Sequence, residues 1–398
     1  MEPRVVIQVL ALVALLAKLL CAALTRGTND LDSFYNFGRT IWENGLLTQY
    51  RTAAEFNHPP LTGWYCALIY GLGKGAGFHF LLRLPGIVAD WLAVQVALRL
   101  RERLGQPPWW ALGLFALSPI SFMVSGFHGN VDSILTLLML LAVCETVRNR
   151  PAWSGGWLGL ACQVKIIPLL IAPVLFFHWS KRERARPFVI AAAIVVLIGW
   201  SLPLCTIPQI FLRQVLGYSS NWGSWGITYW LTQSGAPAFA PVGFAGFTAV
   251  QENVLLALKL GIVGLVLWIA WIRRGLPAAA VFSTVALAWA IFFTLAPGVG
   301  AQYLVWLAPF LLLHSARWYF AVTAASAIFL FVFYNTISGG LPWYHGHSTA
   351  ELLPVWVPWA NLPWMVIALL FVAALRRSAS DGRARFPSAV LPNEANGG

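Results

Sequence analysis

Apolar runs close to the length of a membrane-spanning helix recur along almost the whole 398-residue chain. A bilayer core is about 30 Å thick, so a helix needs about 20 apolar residues to cross it. Lipid offers no hydrogen-bond partners, so such runs close their backbone bonds inside helices. Composition agrees, with 59% hydrophobic and 10% charged residues, where a soluble domain carries about 25% charge. The expectation is an all-α polytopic membrane protein: one integral-membrane domain over residues 1–380, then a disordered cytoplasmic tail at 381–398. The first run, Val5 to Leu24, follows Arg4 and lacks a small-residue cleavage site, so it reads as a retained helix rather than a signal peptide.

The net charge of +12 would suit a nucleic-acid partner, but the basic residues do not gather on one segment. They fall between apolar runs, as Arg99/Arg101/Arg103, Arg148/Arg150, Lys181/Arg182/Arg184/Arg186, Arg273/Arg274, Arg317 and Arg376/Arg377. That is the positive-inside pattern of cytoplasmic loops, and it excludes nucleic acid as the partner. It places helices near 5–24, 81–99, 109–126, 132–147, 152–165, 167–179, 187–205, 252–272, 277–296, 303–315, 318–336 and 356–375. About twelve spans result, both termini are cytoplasmic, and 152–165 with 167–179 is short enough for a broken pair. Leu61 to Leu72 is only a dozen residues long and reads as an interfacial helix on the outer surface. The cysteines Cys21, Cys66, Cys144, Cys162 and Cys205 lack metal-like spacing and read as small hydrophobes.

On this topology the distinctive polar and aromatic residues gather outside, in the loops 25–80, 127–133, 206–251 and 337–355. Asp30 and Asp32 stand at the mouth of the first helix. Carboxylates at a membrane edge point to function, here a general base that takes a proton from an attacking alcohol. Asp32 also suits the N-cap of a helix beginning near Ser33. One base suffices if the leaving group is a phosphate, which departs as a stable anion. A glycosidic alkoxide would need a second carboxyl to protonate it.

Few outer-face cations are available to hold such a phosphate. Lys165, in Cys162-Gln-Val-Lys-Ile-Ile-Pro168, sits at a helix end; Arg83 opens a helix after the interfacial segment. His345 and His347, in Trp343-Tyr-His-Gly-His347, are candidates for phosphate or sugar contact and lack a third ligand for zinc. Asp132 is a helix cap for 133–147 or a sugar contact; His58, in Asn57-His-Pro-Pro60, is a substrate contact. Trp222 and Trp225 stack on a sugar or a lipid chain, while most of the 21 tryptophans form interfacial belts. Lys18 and Asp90 lie roughly 9–14 Å inside the membrane and should pair.

Taken in order, these elements resemble the polytopic C-superfamily glycosyltransferases that use polyprenyl-phosphate sugars. They are most similar to bacterial polyprenyl-phosphate-mannose-dependent α-mannosyltransferases and the first mannosyltransferase of GPI-anchor assembly. The resemblance rests on Asp30-Leu31 with Phe34-Tyr35 and Gly38, His58-Pro-Pro-Leu61, Gly129-Asn-Val-Asp-Ser133, Lys165-Ile-Ile-Pro168, Ser224-Trp-Gly-Ile227 and Gln302-Tyr-Leu-Val-Trp306. It implies Asp30 as catalytic base, two juxtamembrane helices in the first outer loop, Gln302 and Tyr303 among the substrate contacts, and no metal or other cofactor. The chain lacks the large soluble C-terminal domain of the enzymes that glycosylate proteins.

The reading is therefore an inverting hexosyltransferase moving mannose from a polyprenyl phosphate to a lipid-linked or glycan hydroxyl. Its site faces outward from a bacterial cytoplasmic membrane, or into the lumen if the chain is from an endoplasmic reticulum. The alternatives are a twelve-helix transporter or lipid flippase, suggested by Arg101-Glu-Arg-Leu-Gly105, and a non-catalytic subunit of the same fold. Polar residues collected outside rather than at the midplane of two repeated halves argue against the carrier.

Overall fold

The computed structural model describes residues 2–217, 222–240 and 246–384. The tail expected at 381–398 lies outside the described residues from 385 onward. The chain is helical almost throughout. The first part runs α1 (Pro3–Leu24), strand β1 (Gly27–Thr28), α2 (Asn29–Asn44), α3 (Leu46–Thr52), α4 (Pro60–Leu72), α5 (Ala76–Leu104), α6 (Trp109–Ala116) and the single turn α7 (Pro119–Ser121). Next come α8 (Asp132–Val147), α9 (Pro151–Val164), α10 (Ala172–Ser180), α11 (Ala185–Thr206), α12 (Pro208–Leu216) and α13 (Gly226–Gln233). The last part is α14 (Ala249–Ile272), α15 (Ala280–Leu295), α16 (Ala308–His314), α17 (Ala316–Ile337), strand β2 (His345–Gly346) and α18 (Leu353–Ala384).

Seven helices among the described residues are long and apolar enough to cross a membrane: 3–24, 77–104, 109–128, 185–206, 249–272, 316–337 and 350–376. With them the chain is an all-α polytopic membrane protein. Five of the twelve expected spans are shorter here. At 1.5 Å per residue, α8, α9 and α10 reach about 24, 21 and 14 Å. The last is led in by a 3-10 turn, Ile167–Leu170, so the broken pair is found. Both α8 and α15 are buried on every side, as expected of helices apolar all round. By contrast, α11 and α14 leave Ile194, Leu197, Ile198, Leu256, Leu260 and Val263 exposed, the faces that lipid would cover.

The segment between α1 and α5 holds three helices, α2 to α4, rather than two. At 13 residues, α4 reaches about 20 Å, short of a span. It meets α2 closely enough that a Cβ on Gly38 would stand 2.5 Å from the Cys66 carbonyl oxygen. These helices build a second apolar core around Phe34, Phe37, Tyr50, Phe56 and Cys66, which Trp200 and Phe211 close from the far side. Parallel pairing of β1 with β2, Gly27 opposite His345, ties this segment to the one between α17 and α18. Of the cysteines, Cys205 alone is exposed.

Deep in the bundle, Lys18 Nζ lies 2.8 Å from Asp90 Oδ2 and donates to Ser121; Ser125 donates to the same carboxylate oxygen. The pair anticipated from depth alone is thus present. Removing one partner leaves an uncompensated charge, a loss of about 3–5 kcal/mol, whereas removing both does not. Lys18→Met and Asp90→Asn should each lower the thermal unfolding temperature in detergent, and the double variant should recover most of the loss. Additive losses in the double variant would contradict this coupling.

Candidate active site

Two glycines with positive φ, Gly27 (85°) and Gly129 (79°), fix the start of α2. Both close on the fully buried Leu31, and a Cβ on Gly129 would stand 2.6 Å from that side chain. Leu31 thereby seats the turn carrying Asp30 against the turn carrying His128. Residues two apart on a helix point about 200° away from each other, so Asp30 and Asp32 leave α2 on opposite sides.

Asp30 Oδ2 accepts hydrogen bonds from His128 Nε2 (2.9 Å) and Asn130 Nδ2 (3.0 Å). Among the described residues none donates to Oδ1. The side chain keeps 35% of its surface open, and it lines a cavity. Asn130 Oδ1 accepts from the Val131 N–H at 2.7 Å, which orients its amide nitrogen toward Asp30. His128 ends a π-helical stretch, Phe122–His128, a wide turn often found at functional sites. Burial alone would raise the Asp30 carboxyl. The His128 charge and hydrogen bond, the Lys165 charge and the Asn130 bond outweigh it and hold the pKa down to about 2. Asp30 is therefore a carboxylate at any physiological pH.

The cavity measures about 460 Å³ and brings Asp30, His58, Asn130, Lys165, Lys259, Gln302 and Tyr303 to one place, within the range that holds small ligands. Lys165, just past the end of α9, donates to both Asp132 oxygens at 2.8 and 2.9 Å. Trp306 Nε1 donates to the same carboxylate at 2.8 Å. Tyr303 stacks on Trp306 with centroids 4.1 Å apart, and the ammonium lies 5.0 Å from the Tyr303 ring. Of the three ammonium donors, two are engaged by Asp132, which leaves one for a ligand. Burial, then the nearby Lys165 charge, pushes the His58 imidazole down to about 3, so it faces the cavity uncharged. Lys259 of α14 adds a second cation to the wall, and Val215, Leu216 and Ile262 make it apolar beside α12 and α14.

Several expected site residues go elsewhere. Asp32 is not a cap, since α2 begins at Asn29. Its oxygens take Arg26, His79 and His345 at 2.8, 3.1 and 3.0 Å, and burial notwithstanding, these hydrogen bonds hold its carboxyl below the usual range. It therefore stands outside the Asp30 cavity, as a clasp between the α1–α5 segment and the α17–α18 segment. His345 belongs to that clasp, and His347 is exposed beside it, ring centroids 6.4 Å apart. Neither lines the cavity. Arg83 is two turns into α5 rather than at its start, and is 1% exposed. Its guanidinium bonds the carbonyls of Ala22, Thr25 and Gly126 at 2.7, 2.6 and 3.0 Å, so it has no face left for substrate. Trp225 is also 1% exposed and spends its indole N–H on the Phe293 carbonyl; it packs rather than stacks on a ligand. The cap expected at Asp132 is absent: Val131 holds that position, and the carboxylate turns to Lys165 and Trp306.

Sequence reasoning overlooked His128, Asn130 and Lys259. Lys259 carried a signal, a lone charge inside an apolar span, where ionisable groups mark function. Asn130 lay inside the Gly129-Asn-Val-Asp-Ser133 stretch without being singled out, and His128, just before that stretch, carried none.

The placement of Arg83 predicts a split phenotype. Arg83→Lys carries three donors on one atom, too few and too close together for the six oxygens that the guanidinium serves, and should destabilise the protein by about 2 kcal/mol or more, the cost of stranded buried groups. The folded fraction should keep wild-type ligand affinity. Weakened affinity at unchanged unfolding temperature would place Arg83 on the ligand instead.

Residues 56–297 match the profile of glycosyltransferase family 87. The matched segment carries His58, Asn130, Asp132, Lys165 and Lys259, and leaves Asp30 just ahead of it. No curated protein matches the chain. A family match over more than half the chain, on a bundle with seven span-length apolar helices, settles the class: the chain belongs to glycosyltransferase family 87 and is a membrane glycosyltransferase.

Proposed function

We propose that the enzyme transfers a hexose, mannose in the reading the motifs favour, from a polyprenyl phosphate to a hydroxyl of a lipid-linked or glycan acceptor. The site opens on the extracytoplasmic face. The observation that carries this reading is an ionised carboxylate, Asp30, held on one oxygen and open on the other, in a cavity it shares with Lys165 and Lys259, with Glu55 as the second acid on the wall. The apolar wall by Val215, Leu216 and Ile262 is suited to the first isoprene units of the donor.

In this mechanism the acceptor hydroxyl donates to Asp30 Oδ1. Its oxygen attacks the anomeric carbon from the face opposite the phosphate, so configuration inverts. The carbon–oxygen bond to phosphate breaks with its electron pair, and the polyprenyl phosphate leaves as an anion held by Lys165 and Lys259. The hydroxyl proton passes to Asp30. A carboxylate of pKa about 2 is too weak a base to generate a free alkoxide, so proton transfer keeps step with bond formation. Gln302, Asn130, neutral His58 and Tyr303 line the cavity; in this mechanism the first three hold sugar hydroxyls and Tyr303 packs on the sugar. Asp132 orients Lys165 without entering the cavity chemistry.

The test is transfer of labelled mannose from polyprenyl-phosphate-mannose to a membrane lipid extract by the purified enzyme. Asp30→Asn should lose about 10²–10⁴-fold, the usual worth of a general base, at unchanged fold. Lys259→Met should lose about tenfold or more. Transfer by Asp30→Asn at the wild-type rate would remove the base, and transfer only from other lipid-phosphate sugars would replace mannose.

The same geometry fixes a pH response. His128 lowers the Asp30 pKa, so the ionised, active form of wild type persists down to about pH 2 and Asp30 sets no acid limb between pH 5 and 7. In His128→Asn the largest of the lowering contributions is lost, only Lys165 and Asn130 oppose burial, the pKa rises, and an acid limb in kcat/KM should move upward. An unmoved limb would separate His128 from the base.

A further inference from the structure

Helices α5 and α8 pack together, and α8 runs away from the Asp132–Lys165 pair beside the catalytic cavity. Their far ends enclose a recess of about 160 Å³ that nothing in the transferase reading uses. It is lined by Arg99 and Arg103 of α5 and by Arg148, just past the end of α8. Arg99 stands 16 residues beyond Arg83, or about 24 Å along the helix, so the recess and the cavity are separate.

The charges here are unbalanced in a specific way. Arg99 and Arg103 are four residues apart, on one face of α5, where like charges repel. Neither has an ion pair or hydrogen bond among the described residues. The neighbouring charges of the same basic segment are engaged elsewhere. Arg101 bonds the Gly105 carbonyl and lies 5.1 Å over Trp109, and Glu102 pairs with Arg4 at 2.9 Å. The one acid nearby, Glu145, is buried and bonds Arg148 at 2.6 Å. Glu145 also lies 3.8 Å from Arg150, so the three guanidinium groups of the recess have at most a share of one carboxylate, which leaves the recess cationic.

Its floor is apolar, formed by Leu100, Leu141 and Val147. Going back from Arg103 and Arg99, the same face of α5 presents Val96, Leu92 and Val88 at helical spacing. Leu92 and Val88 are each 38% exposed. A cationic head opening onto an apolar stripe, at the end of a membrane-spanning helix, has the two-part chemistry of an anionic phospholipid. Basic pockets between membrane helices hold such head groups. We infer that this recess binds one anionic phospholipid, its phosphate between Arg99, Arg103 and Arg148 and one acyl chain along Val96, Leu92 and Val88. Bound lipid would relieve the Arg99–Arg103 repulsion and clamp α5 to α8, the two helices that carry Arg83 and Asp132.

The full-length protein, delipidated in detergent, is titrated with phosphatidylglycerol and, separately, with phosphatidylcholine, and bound lipid is counted by native mass spectrometry. Wild type should retain phosphatidylglycerol in preference. Arg99→Gln with Arg103→Gln should weaken that retention by about fivefold per arginine, while the Lys pair at the same positions keeps the preference. Arg186→Gln, an exposed charge outside the recess, should change nothing. Equal retention of the two lipids by wild type would overturn the site, as would an undiminished preference in the Gln pair or an equal loss in Arg186→Gln. Displacement of the lipid by millimolar inorganic phosphate would reduce it to a bare anion site. Should the Gln pair unfold, wild type against the single Arg99→Gln variant decides by the same readout. Activity plays no part in the measurement, so its result is independent of the transferase assignment.

Discussion

The buried guanidinium of Arg83 is the interaction on which the rest of the site depends. Carbonyl groups at the end of α1 and in the π-helical turn have no helical partners of their own, and in a membrane-buried setting they cannot turn to water. One planar fork answers several at once: Ala22 and Thr25 from α1, Gly126 and Phe127 from the turn. The two chain segments are thereby held side by side. Leu31 fills the space between them, and the first turn of α2 has one position left to occupy. Asp30 and His128 meet because their backbones are clamped, and the hydrogen bond between them follows from the clamp.

The cavity shows a division between charge that acts and charge that supports. Asp30 has one oxygen held and one open. Lys165 has two donors held and one available. In each case the held part is fixed by supporting neighbours, His128 with Asn130 for the acid and Asp132 with Trp306 for the lysine. Preorganised polar groups of this kind stabilise developing charge without reorganising when it appears. The cost of burying Asp132 and Lys165 is offset by pairing them, and the pairing fixes where the ammonium points.

Particular residues show how far the sequence could be read. The pairing of Lys18 with Asp90 followed from helix geometry and the expense of charge in lipid, both of which act locally. Asp30, His58, Lys165, Gln302 and Tyr303, drawn from four separate stretches, do come to one cavity. Arg83, Trp225, His345 and His347 had the same composition signal and went elsewhere. A buried arginine bonding carbonyls and an arginine waiting for phosphate look alike until the carbonyls are placed. Asp32 misled for a simpler reason: an acid two residues from another suggests one shared site in an extended loop, and the opposite in a helix. The start of that helix at Asn29 is what reversed it.

The sequence by itself determined the solvent and the helical content, because the cost of an unpaired backbone group in lipid is larger than any local preference and is written in the length of each apolar run. It also determined which residue types were available for chemistry at the membrane edge. Only the tertiary structure decided which of them face one cavity. That choice depends on a π-helical turn, two glycines closing on Leu31 and the carbonyls that Arg83 answers, contacts between residues tens to a hundred positions apart, whose geometry no local pattern encodes.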